Sequence, residues 1–512
     1  MDPRIGPPFG SSIPIIGTIG AAVLAPVLVV AIALRVVFLD TAPGEWYGDI
    51  STVYEFTIAL RQGEVPPGWF VLGIGPLYPA LIRPVLWLLG DTFFAFKAAS
   101  AVVSLFGIVL LYVLGRQLFG RPVAAVSAGV AAVSSWWLVF SRLGDQQTMN
   151  PTLTLAATVA AVAAVRTPRS IALPTVAGTA ASLGLYLYGN TFVLPALVGA
   201  IFCAELVRRH GAMARSCAVA FTAMALTAAP IVVASIDNGA MIGGQHYGSR
   251  LASPWDIAPG LWKAAGAYVW AGDASFRVNV VGDPHVDAPS LVLLLVGIGV
   301  LVTDRRRRGL LVIGAFAMLH VPAILAGPDD LPSAGRTLAA APFAYLMIGV
   351  GLCWLGDRVT ERWTRVWAAR LVATVMVTIT FVDVQWYFGR YVPGLPYANT
   401  PIAASIVDFA DSLPPDVTIY LVGADWEPSG MPAEKSIRYE MERPELLVRL
   451  DPATIGCATL VELDTPSVLV WSPFLDRPPL DTDVCGIVDD VRLYVANGDR
   501  PVFWAGTISG DR

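Results

Sequence analysis

The sequence predicts a polytopic α-helical membrane protein that carries a small α/β domain at its C-terminal end. Its 512 residues are 55% hydrophobic and only 14% charged, with a mean hydropathy of +0.63, whereas a soluble domain carries about 25% charged residues. The apolar residues form runs long enough to cross a bilayer, which takes about 20 residues per helix. After about Trp386 the composition becomes that of a soluble chain.

About eleven apolar segments are predicted to span the membrane. They lie near residues 15–38, 94–114, 122–140, 151–165, 171–188, 191–206, 217–236, 288–302, 309–326, 337–354 and 368–386. Another apolar stretch, 75–89, is short and contains Arg83-Pro84. We therefore expect a helix that lies in the interface within a long first outer loop, with Trp87 and Tyr78 at headgroup depth.

The charged residues between these segments predict the orientation of the chain. Arginines are concentrated in alternate loops, which are therefore cytoplasmic: Arg116, Arg121, Arg166, Arg169, Arg208, Arg209, Arg215, Arg305 to Arg308, Arg358, Arg362 and Arg365. The other loops are rich in acidic residues: Asp40, Glu45, Asp49, Asp145, Asp237, Asp273, Asp283, Asp287, Asp329 and Asp330. An odd number of spans puts the N-terminus inside and the C-terminus outside, and the first apolar run is expected to remain as a span.

The chain divides into a membrane domain, 1–390, and an extracytoplasmic domain, 391–512. In the second domain the residue pattern predicts helices and short strands. The helices are expected at 402–413 and 435–443, and the strands at 417–422, 468–471, 493–495 and 502–504. Cys457 and Cys485 lie in this domain. The sequence leaves open whether they form a disulfide.

Several functions lack support in the sequence. The net charge is only −5 and no long basic tract indicates binding to nucleic acid. His246, His285 and His320 lack the spacing of a known metal motif, and no CxxC pair indicates zinc. A divalent metal at the carboxylates described next remains open.

Two carboxylates are predicted on the same outer face of the membrane. Asp49 ends the motif Trp46-Tyr47-Gly48-Asp49, and Asp145 ends Ser141-Arg142-Leu143-Gly144-Asp145. A carboxylate at the boundary between water and lipid can take a proton from an acceptor hydroxyl or amine. The structural alternatives are a solvated loop residue or a helix N-cap for Asp49, and an N-cap or a salt bridge to Arg142 for Asp145.

Cations in the outer loops are candidate ligands for a phosphate group. A guanidinium presents a planar fork of donors that suits phosphate oxygens. We expect Arg336 and Arg142 to bind phosphate in this way, and Arg277 and Lys263 are further candidates for the same reason. The alternative for each is an interfacial side chain that extends toward lipid headgroups.

Aromatic residues near the predicted site are candidates for contact with a sugar or an acceptor. The rings of Trp46 and Tyr47 flank Asp49, and Tyr186 and Tyr188 lie at the outer end of a predicted span. Tyr78 belongs to the same group. Such rings stack on sugars, but they also anchor membrane proteins in the headgroup region.

An ordered series of motifs resembles the GT-C glycosyltransferases, specifically the branch of protein O-mannosyltransferases and aminoarabinose transferases. The series comprises Leu34-Arg35, an outer loop with an early Asp, Pro76-Leu77-Tyr78-Pro79, the segment from Leu114 to Arg121, Ser141 to Asp145 with Asn150-Pro151, Gly184 to Tyr188 leading to Pro195, and Gly335-Arg336-Thr337 with Ala341-Pro342. The resemblance covers about residues 15–390.

The resemblance implies a reaction on the outer face of the plasma membrane. A sugar would pass from a polyprenyl-phosphate donor to a protein, glycan or lipid acceptor, with inversion at the anomeric carbon. Asp49 would be the general base and Asp145 a supporting carboxylate. Where the family usually has Glu after this Asp, the chain has Ile50, and Glu55 would replace that carboxylate only if the loop folds back.

Two other functions are compatible with a multi-pass membrane protein. A transporter or flippase usually has internal repeats, broken helices and ionisable residues at the midplane. A non-catalytic scaffold would bind cell-envelope lipid or glycan. The predicted spans contain few charges and the polar residues gather in the outer loops, which favours catalysis at the interface.

Overall fold

The structure is a computed structural model of the chain. It describes residues 18–46, 49–61, 75–187, 191–209, 211–237, 255–304, 306–423, 426, 434–452, 455–474, 487–496 and 499–508. Within these ranges the side chains of 18–23, 49, 51–52, 55, 59, 61, 237, 306, 330 and 439 are outside the description. The predictions for Tyr47, Tyr188, His246 and Cys485 therefore fall outside the described residues, as do those for the side chains of Asp49 and Glu55.

Most of the described chain is helical. Its helices of five or more residues are α1 (Thr18–Val36), α2 (Asp49–Arg61), α3 (Leu77–Leu89), α4 (Phe93–Leu118), α5 (Arg121–Val133), α6 (Ser135–Arg142), α7 (Met149–Arg166), α8 (Ala172–Leu183), α9 (Leu194–Arg209), α10 (Gly211–Asp237), α11 (Ile257–Gly266), α12 (Ala288–Thr303), α13 (Arg306–Met318), α14 (Val321–Leu325), α15 (Ala341–Arg362), α16 (Arg365–Val384), α17 (Ile402–Ser412), α18 (Glu434–Glu440) and α19 (Cys457–Val461). A π-helical segment, Gln385–Tyr391, continues α16.

The helices make the chain a multi-pass membrane protein. In the described part, six helical segments are long and apolar enough to cross a bilayer, or seven if α5 and α6, which bend by 55°, form one span. Shorter apolar helices lie at Leu24–Val36, Leu77–Leu89 and Ala288–Thr303. A helix or a broken helix lies at each of the eleven predicted segments. The count of eleven spans and the orientation remain predictions.

Glycines allow the helices of the membrane domain to pack closely. A side chain on Gly297 of α12 would lie 1.9 Å from the carbonyl oxygen of Met347 in α15, and one on Gly351 of α15 would lie 2.2 Å from that of Leu293. Small residues at helix contacts let backbones approach inside a membrane, where van der Waals packing holds helices together. The sequence of α12 and α15 therefore determines how closely these two helices approach.

Two helices outside the predicted spans have strongly exposed apolar faces. Helix α3 exposes 84% of Trp87, and α11 with its flanks exposes Trp255, Trp262 and Trp270. Aromatic side chains of this kind are typical of the headgroup region of a membrane. The predicted helix at 75–89 is confirmed, and its position in the interface remains a prediction.

The C-terminal part forms a mixed five-stranded sheet. The strands are β1 (Thr418–Val422), β2 (Leu447–Leu450), β3 (Ser467–Trp471), β4 (Val488–Ala496) and β5 (Arg500–Ile508), in the order β2-β1-β3-β5-β4. Strand β1 is parallel to β2 and β3, whereas β5 is antiparallel to β3 and β4. The predicted small C-terminal sheet is confirmed, whereas the domain boundary at residue 390 remains a prediction. Cys457 is disulfide-bonded.

The membrane domain and the C-terminal domain share buried apolar contacts. One continuous cluster of buried residues contains Trp46 and Phe96 from the membrane domain and Ile402 and Val470 from the C-terminal domain. The C-terminal part is therefore packed against the rest of the protein, and α2 contacts its helix α18 directly.

Candidate functional site

Segments that are far apart in the sequence meet at one end of the helix bundle. The backbone N–H of Gly75 donates to Oε1 of Gln146 at 3.3 Å. A side chain on Gly75 would lie 1.9 Å from the carbonyl oxygen of Tyr186, and one on Gly335 would lie 1.7 Å from Oε1 of Gln147. The motifs around residues 75–79, 141–147, 184–188 and 335–337 are thus neighbours, as a shared site requires.

An aromatic cluster connects residues 37–46, which we name the first outer loop after their predicted orientation, to this meeting point. Trp46 is buried, and its ring centroid lies 4.5 Å from that of Tyr54, 4.6 Å from that of Phe93 and 6.0 Å from that of Phe96. A side chain on Gly144, where φ is +77°, would lie 3.2 Å from Cβ of Phe96. The predicted stacking of Trp46 on a sugar remains untested, and its observed contacts are to protein rings.

Asp49 is the first residue of α2, which the aromatic cluster holds in place. Tyr54, in the second turn of that helix, is fully buried against Trp46, and its hydroxyl donates to the carbonyl oxygen of Asp91. Helix α2 also packs against α3 and against α18 of the C-terminal domain. The helix that begins at the candidate base therefore has fixed neighbours on several sides.

Arg142 is fully buried beneath the first outer loop. Its guanidinium donates to the carbonyl oxygens of Leu34 (2.5 Å), Val37 (2.9 Å), Phe38 (2.8 Å) and Ala42 (3.0 Å) and to the hydroxyl of Tyr387 (2.9 Å). Each of the three guanidinium nitrogens therefore donates to at least one protein oxygen. These contacts hold Arg142 against the backbone of the loop, in place of the predicted salt bridge with Asp145. Its role as a phosphate ligand remains a prediction.

Lys97 is a second buried cation under the same loop, and sequence reasoning missed it. Its ammonium donates to the carbonyl oxygens of Leu39 at 2.8 Å, Asp40 at 3.0 Å and Pro43. An ammonium group has three donors, so each has a backbone partner. Together, Lys97 and Arg142 donate hydrogen bonds to six carbonyl groups within residues 37–43.

Asp145 begins a short 3₁₀ turn between α6 and α7. Its Oδ1 accepts a hydrogen bond from the backbone N–H of Gln147 at 3.1 Å, so the side chain caps the turn Gln146–Thr148. It is nearly buried and lies close enough to Tyr78 to interact with it electrostatically. The capping alternative is thus observed, and a supporting role in catalysis remains a prediction.

The predicted phosphate ligands Arg336 and Arg277 flank a buried carboxylate, Asp273. Asp273 accepts from the backbone N–H of Ser275 at 2.8 Å and from that of Ala334 at 2.7 Å. Burial raises the pKa of Asp273, while the two N–H groups and the charges of Arg277 and Arg336 act in the opposite direction. Asp273 therefore links the loop that carries Arg277 to the helical turn Ala334–Thr337 that carries Arg336.

The π-helical segment Gln385–Tyr391 packs along these outer loops. Nε1 of Trp386 donates to Oδ2 of Asp283 at 2.9 Å, and the guanidinium of Arg390 lies 2.7 Å from the same oxygen. The hydroxyl of Tyr391 donates to the carbonyl oxygen of Arg277 at 2.5 Å. The predicted last span ended at 386. The π-helix carries its aromatic side chains beyond that point, and such segments are frequent at functional sites.

His285 is buried beside the loop of Asp273. Its ring stacks on Trp136 with a centroid distance of 4.8 Å, and Nε1 of Trp136 donates to the carbonyl oxygen of Ala334 at 3.0 Å. Burial lowers the pKa of His285 to about 3, with a further contribution from His320. A neutral, buried ring in this place indicates a structural role in packing.

The remaining candidate side chains make contacts within the protein. The hydroxyl of Tyr78 shares a hydrogen bond with that of Ser100 at 2.7 Å, and Tyr78 is fully buried. Tyr186 donates to the carbonyl oxygen of Thr227 at 2.7 Å, and Nζ of Lys263 to that of Pro328 at 2.7 Å. These contacts position the loops, and the predicted roles in binding remain untested.

A metal site is not formed by the described side chains. Among them, no group of three or more His, Cys, Asp or Glu residues is arranged to hold a metal ion. The side chains of Asp49 and Glu55 lie outside that search, so metal dependence stays a prediction.

Comparison with known proteins finds a similarity in sequence over part of the chain and a similarity in fold over most of it. Residues 74–234 match the dolichyl-phosphate-mannose-protein mannosyltransferase family. The fold is similar to that of ArnT from Cupriavidus metallidurans bound to undecaprenyl phosphate, with a TM-score of 0.59 and 15% identity over 96% of this chain and 99% of that one. No curated protein sequence matches the chain.

A second similarity is to the oligosaccharyltransferase of Archaeoglobus fulgidus. In the apo form it has a TM-score of 0.50 and 14% identity, over 86% of this chain and 65% of that one. Its complex with a tethered acceptor peptide containing the NVT sequon gives 0.50 and 12%, over 86% and 64%. The resemblance to the GT-C glycosyltransferases is thereby confirmed, and the chain has their fold.

Proposed function

We propose that this protein is an inverting glycosyltransferase that moves a sugar from a polyprenyl-phosphate donor to an acceptor at the outer face of the plasma membrane. The observation that carries the proposal is the meeting of the four motif segments beside the anchored first outer loop. The similarity in fold to a protein solved with bound undecaprenyl phosphate supports a donor of that class. The acceptor is a protein, a glycan or a lipid.

The reaction is a single in-line displacement at the anomeric carbon. The acceptor oxygen or nitrogen attacks that carbon while its proton passes to the carboxylate of Asp49, which acts as general base. The bond between the anomeric carbon and the phosphate oxygen breaks, and its electron pair leaves with the lipid phosphate. Because the phosphate is already a stable leaving group, no covalent sugar–enzyme intermediate is needed.

Arg336 and Arg277 are assigned to the departing phosphate. Both lie in outer segments next to Asp273, and their charges suit the negative charge that develops on the leaving group. Arg142 is assigned to the first outer loop, because its donors already contact backbone carbonyls. Asp145 is the supporting carboxylate, in a turn next to the motif of Tyr78.

The test is transfer of radiolabelled sugar from a panel of polyprenyl-phosphate sugars by the purified protein and by the variant Asp49→Asn. General-base catalysis contributes about 100- to 10,000-fold, so the variant should lose activity on that scale. The matched control is Asp416→Asn, an exposed aspartate of the C-terminal domain, which should retain full activity. Equal transfer by Asp49→Asn and the wild type would refute Asp49 as base.

The same assay separates the proposal from the alternatives in the sequence. A flippase would move a labelled lipid across a vesicle membrane without breaking the sugar–phosphate bond, and a scaffold would bind it unchanged. Absence of transfer from every donor, with retained lipid binding, would overturn the proposed reaction.

A further inference from the structure

Glu45, in the first outer loop, accepts a hydrogen bond from the C-terminal domain. Glu45 is 1% exposed; its Oε1 accepts from the backbone N–H of Trp46 at 3.0 Å, and its Oε2 from that of Ala403 at 2.7 Å. Ala403 lies in the first turn of α17, where backbone N–H groups have no partner within the helix. A carboxylate satisfies such a group and interacts favourably with the helix dipole.

A second contact joins the same loop to the residues just before α17. The amide side chain of Asn399 accepts from the backbone N–H of Gly44 at 2.7 Å and donates to the carbonyl oxygen of Thr41 at 2.7 Å. Asn399 has a φ of +62°, a left-handed conformation that Asn tolerates better than most residues. One side chain therefore bridges two backbone groups of the loop.

A third contact fastens the other side of this interface. Oε1 of Glu440, at the end of α18, accepts from the backbone N–H of Phe93 at the start of α4. Phe93 also packs on Trp46. The C-terminal domain thus forms hydrogen bonds both to the loop before Asp49 and to the start of α4, which packs against that loop.

The loop has fixed partners on both of its sides. Arg142 and Lys97 hold its carbonyl groups from the membrane side, and Glu45 and Asn399 tie it to the C-terminal domain. Asp49 follows Glu45 by four residues. A general base functions only within hydrogen-bond reach of the proton that it takes, so the loop must hold Asp49 to within a fraction of an ångström.

We propose that the C-terminal domain is a positioning element for the first outer loop, which it holds through Glu45 and Asn399 so that Asp49 meets the acceptor. The proposal rests on the proposed function for its catalytic consequence. It gives the domain a role in turnover that does not depend on which acceptor is used.

The experiment compares the wild type with Glu45→Leu and Asn399→Gly in hydrogen exchange and in transfer. Leucine is close to glutamate in size and removes both acceptors, while glycine keeps the left-handed backbone at 399 and removes only the two bridging bonds. The matched control is Glu442→Gln, an exposed carboxylate of the same domain.

We expect backbone amides of residues 39–46 and 402–406 to exchange at least tenfold faster in both variants. Turnover should fall at least tenfold, while KM for the donor changes less than threefold, because the donor phosphate is held by other segments. Strand β3 should keep its protection, which would show that the domain is still folded. The Glu442→Gln variant should match the wild type in each measurement.

The hydrogen-exchange and transfer measurements test different parts of the proposal. Unchanged hydrogen exchange in both segments would show that Glu45 and Asn399 do not hold the loop, and would refute the proposal whatever the activity of the protein. Faster exchange with unchanged turnover would show that the domain contacts the loop without positioning the base, and would also overturn the proposal. If the wild type transfers no sugar, the proposed function fails. The hydrogen-exchange measurement still shows whether Glu45 and Asn399 hold the loop.

Discussion

Asp273 is the residue that connects the proposed phosphate ligands to the backbone. Its two oxygens accept from Ser275 and Ala334, and its charge faces Arg277 and Arg336. The short-range bond to Ser275 follows from the tendency of Asp to bind backbone two residues on. The bond to Ala334 joins residues 61 positions apart, and only folding brings these together.

We predict that Asp273→Asn impairs transfer without unfolding the protein. In the variant, the Asn amide nitrogen replaces one of the two oxygens that accept from Ser275 and Ala334, so one of these hydrogen bonds is lost. The substitution also removes the negative charge between the two arginines. The loss of a hydrogen bond to a charged group costs about 1.5–3 kcal/mol, so kcat/KM should fall by roughly 10- to 100-fold in the transfer assay.

The control for this prediction is Asp329→Asn, which removes an exposed carboxylate in the same outer loop as Arg336. It should leave kcat/KM unchanged. Equal effects of the two substitutions would mean that loop charge, rather than the specific contacts of Asp273, matters to the reaction.

At the scale of elements, the close approach of two loops depends on Gly75. A side chain there would lie 1.9 Å from the carbonyl oxygen of Tyr186 and 2.7 Å from Cα of Leu187. These are backbone atoms and cannot rotate away. The segment that leads into α3 therefore accepts a side chain at residue 75 only if its backbone moves away from the 3₁₀ turn Gly184–Tyr186.

We predict that Gly75→Ala separates these segments, lowers the unfolding free energy by about 1–3 kcal/mol and reduces transfer at least tenfold. Thermal unfolding and the transfer assay measure the two effects. Gly314→Ala is the matched control, since nothing lies within 4 Å of a side chain at that position of α13. An unaffected Gly75→Ala variant would contradict the observed contact.

The elements that the sequence predicts best have a strong residue pattern. The apolar segments coincide with helices, and β1 and β3, with burial over nearly every residue, lie where predicted. Strand β2 was missed because Leu447–Leu450 exposes its two central residues and has no strand pattern of its own. The strands β4 and β5 are longer than the short apolar cores that predict them.

At the scale of the whole molecule, we expect the contact between the domains to depend on pH through two carboxyl groups, the buried Glu45 and the partly buried Glu440. Burial raises the pKa of Glu45 and of Glu440 to about 7 each. Lys97 opposes this effect at both sites, whereas Asp40 and Asp408 add to it at Glu440. Since both groups bind protons more tightly in the folded state, their contribution to stability is complete below about pH 4.5 and is lost as the pH rises through 7.

We predict that the interface between the domains is tighter at pH 5.5 than at pH 8. For Glu45 the difference between these two pH values is on the order of 2 kcal/mol. Hydrogen exchange of residues 402–406, corrected for the intrinsic dependence of exchange on pH, measures it. The double variant Glu45→Gln and Glu440→Gln should show a much flatter profile. A wild-type interface that tightens as the pH rises would contradict the sign.

The sequence by itself determined the class of protein, the positions of its apolar helices, the presence of a C-terminal α/β domain and the order of the GT-C motifs. Those properties follow from hydrophobic runs and local residue patterns. Only the tertiary structure decided that Arg142 and Lys97 bind the carbonyls of the first loop, that Asp273 faces Arg336, and that Glu45 reaches Ala403 across 358 residues. The physical reason is that backbone groups serve as the partners, and every residue carries the same backbone groups.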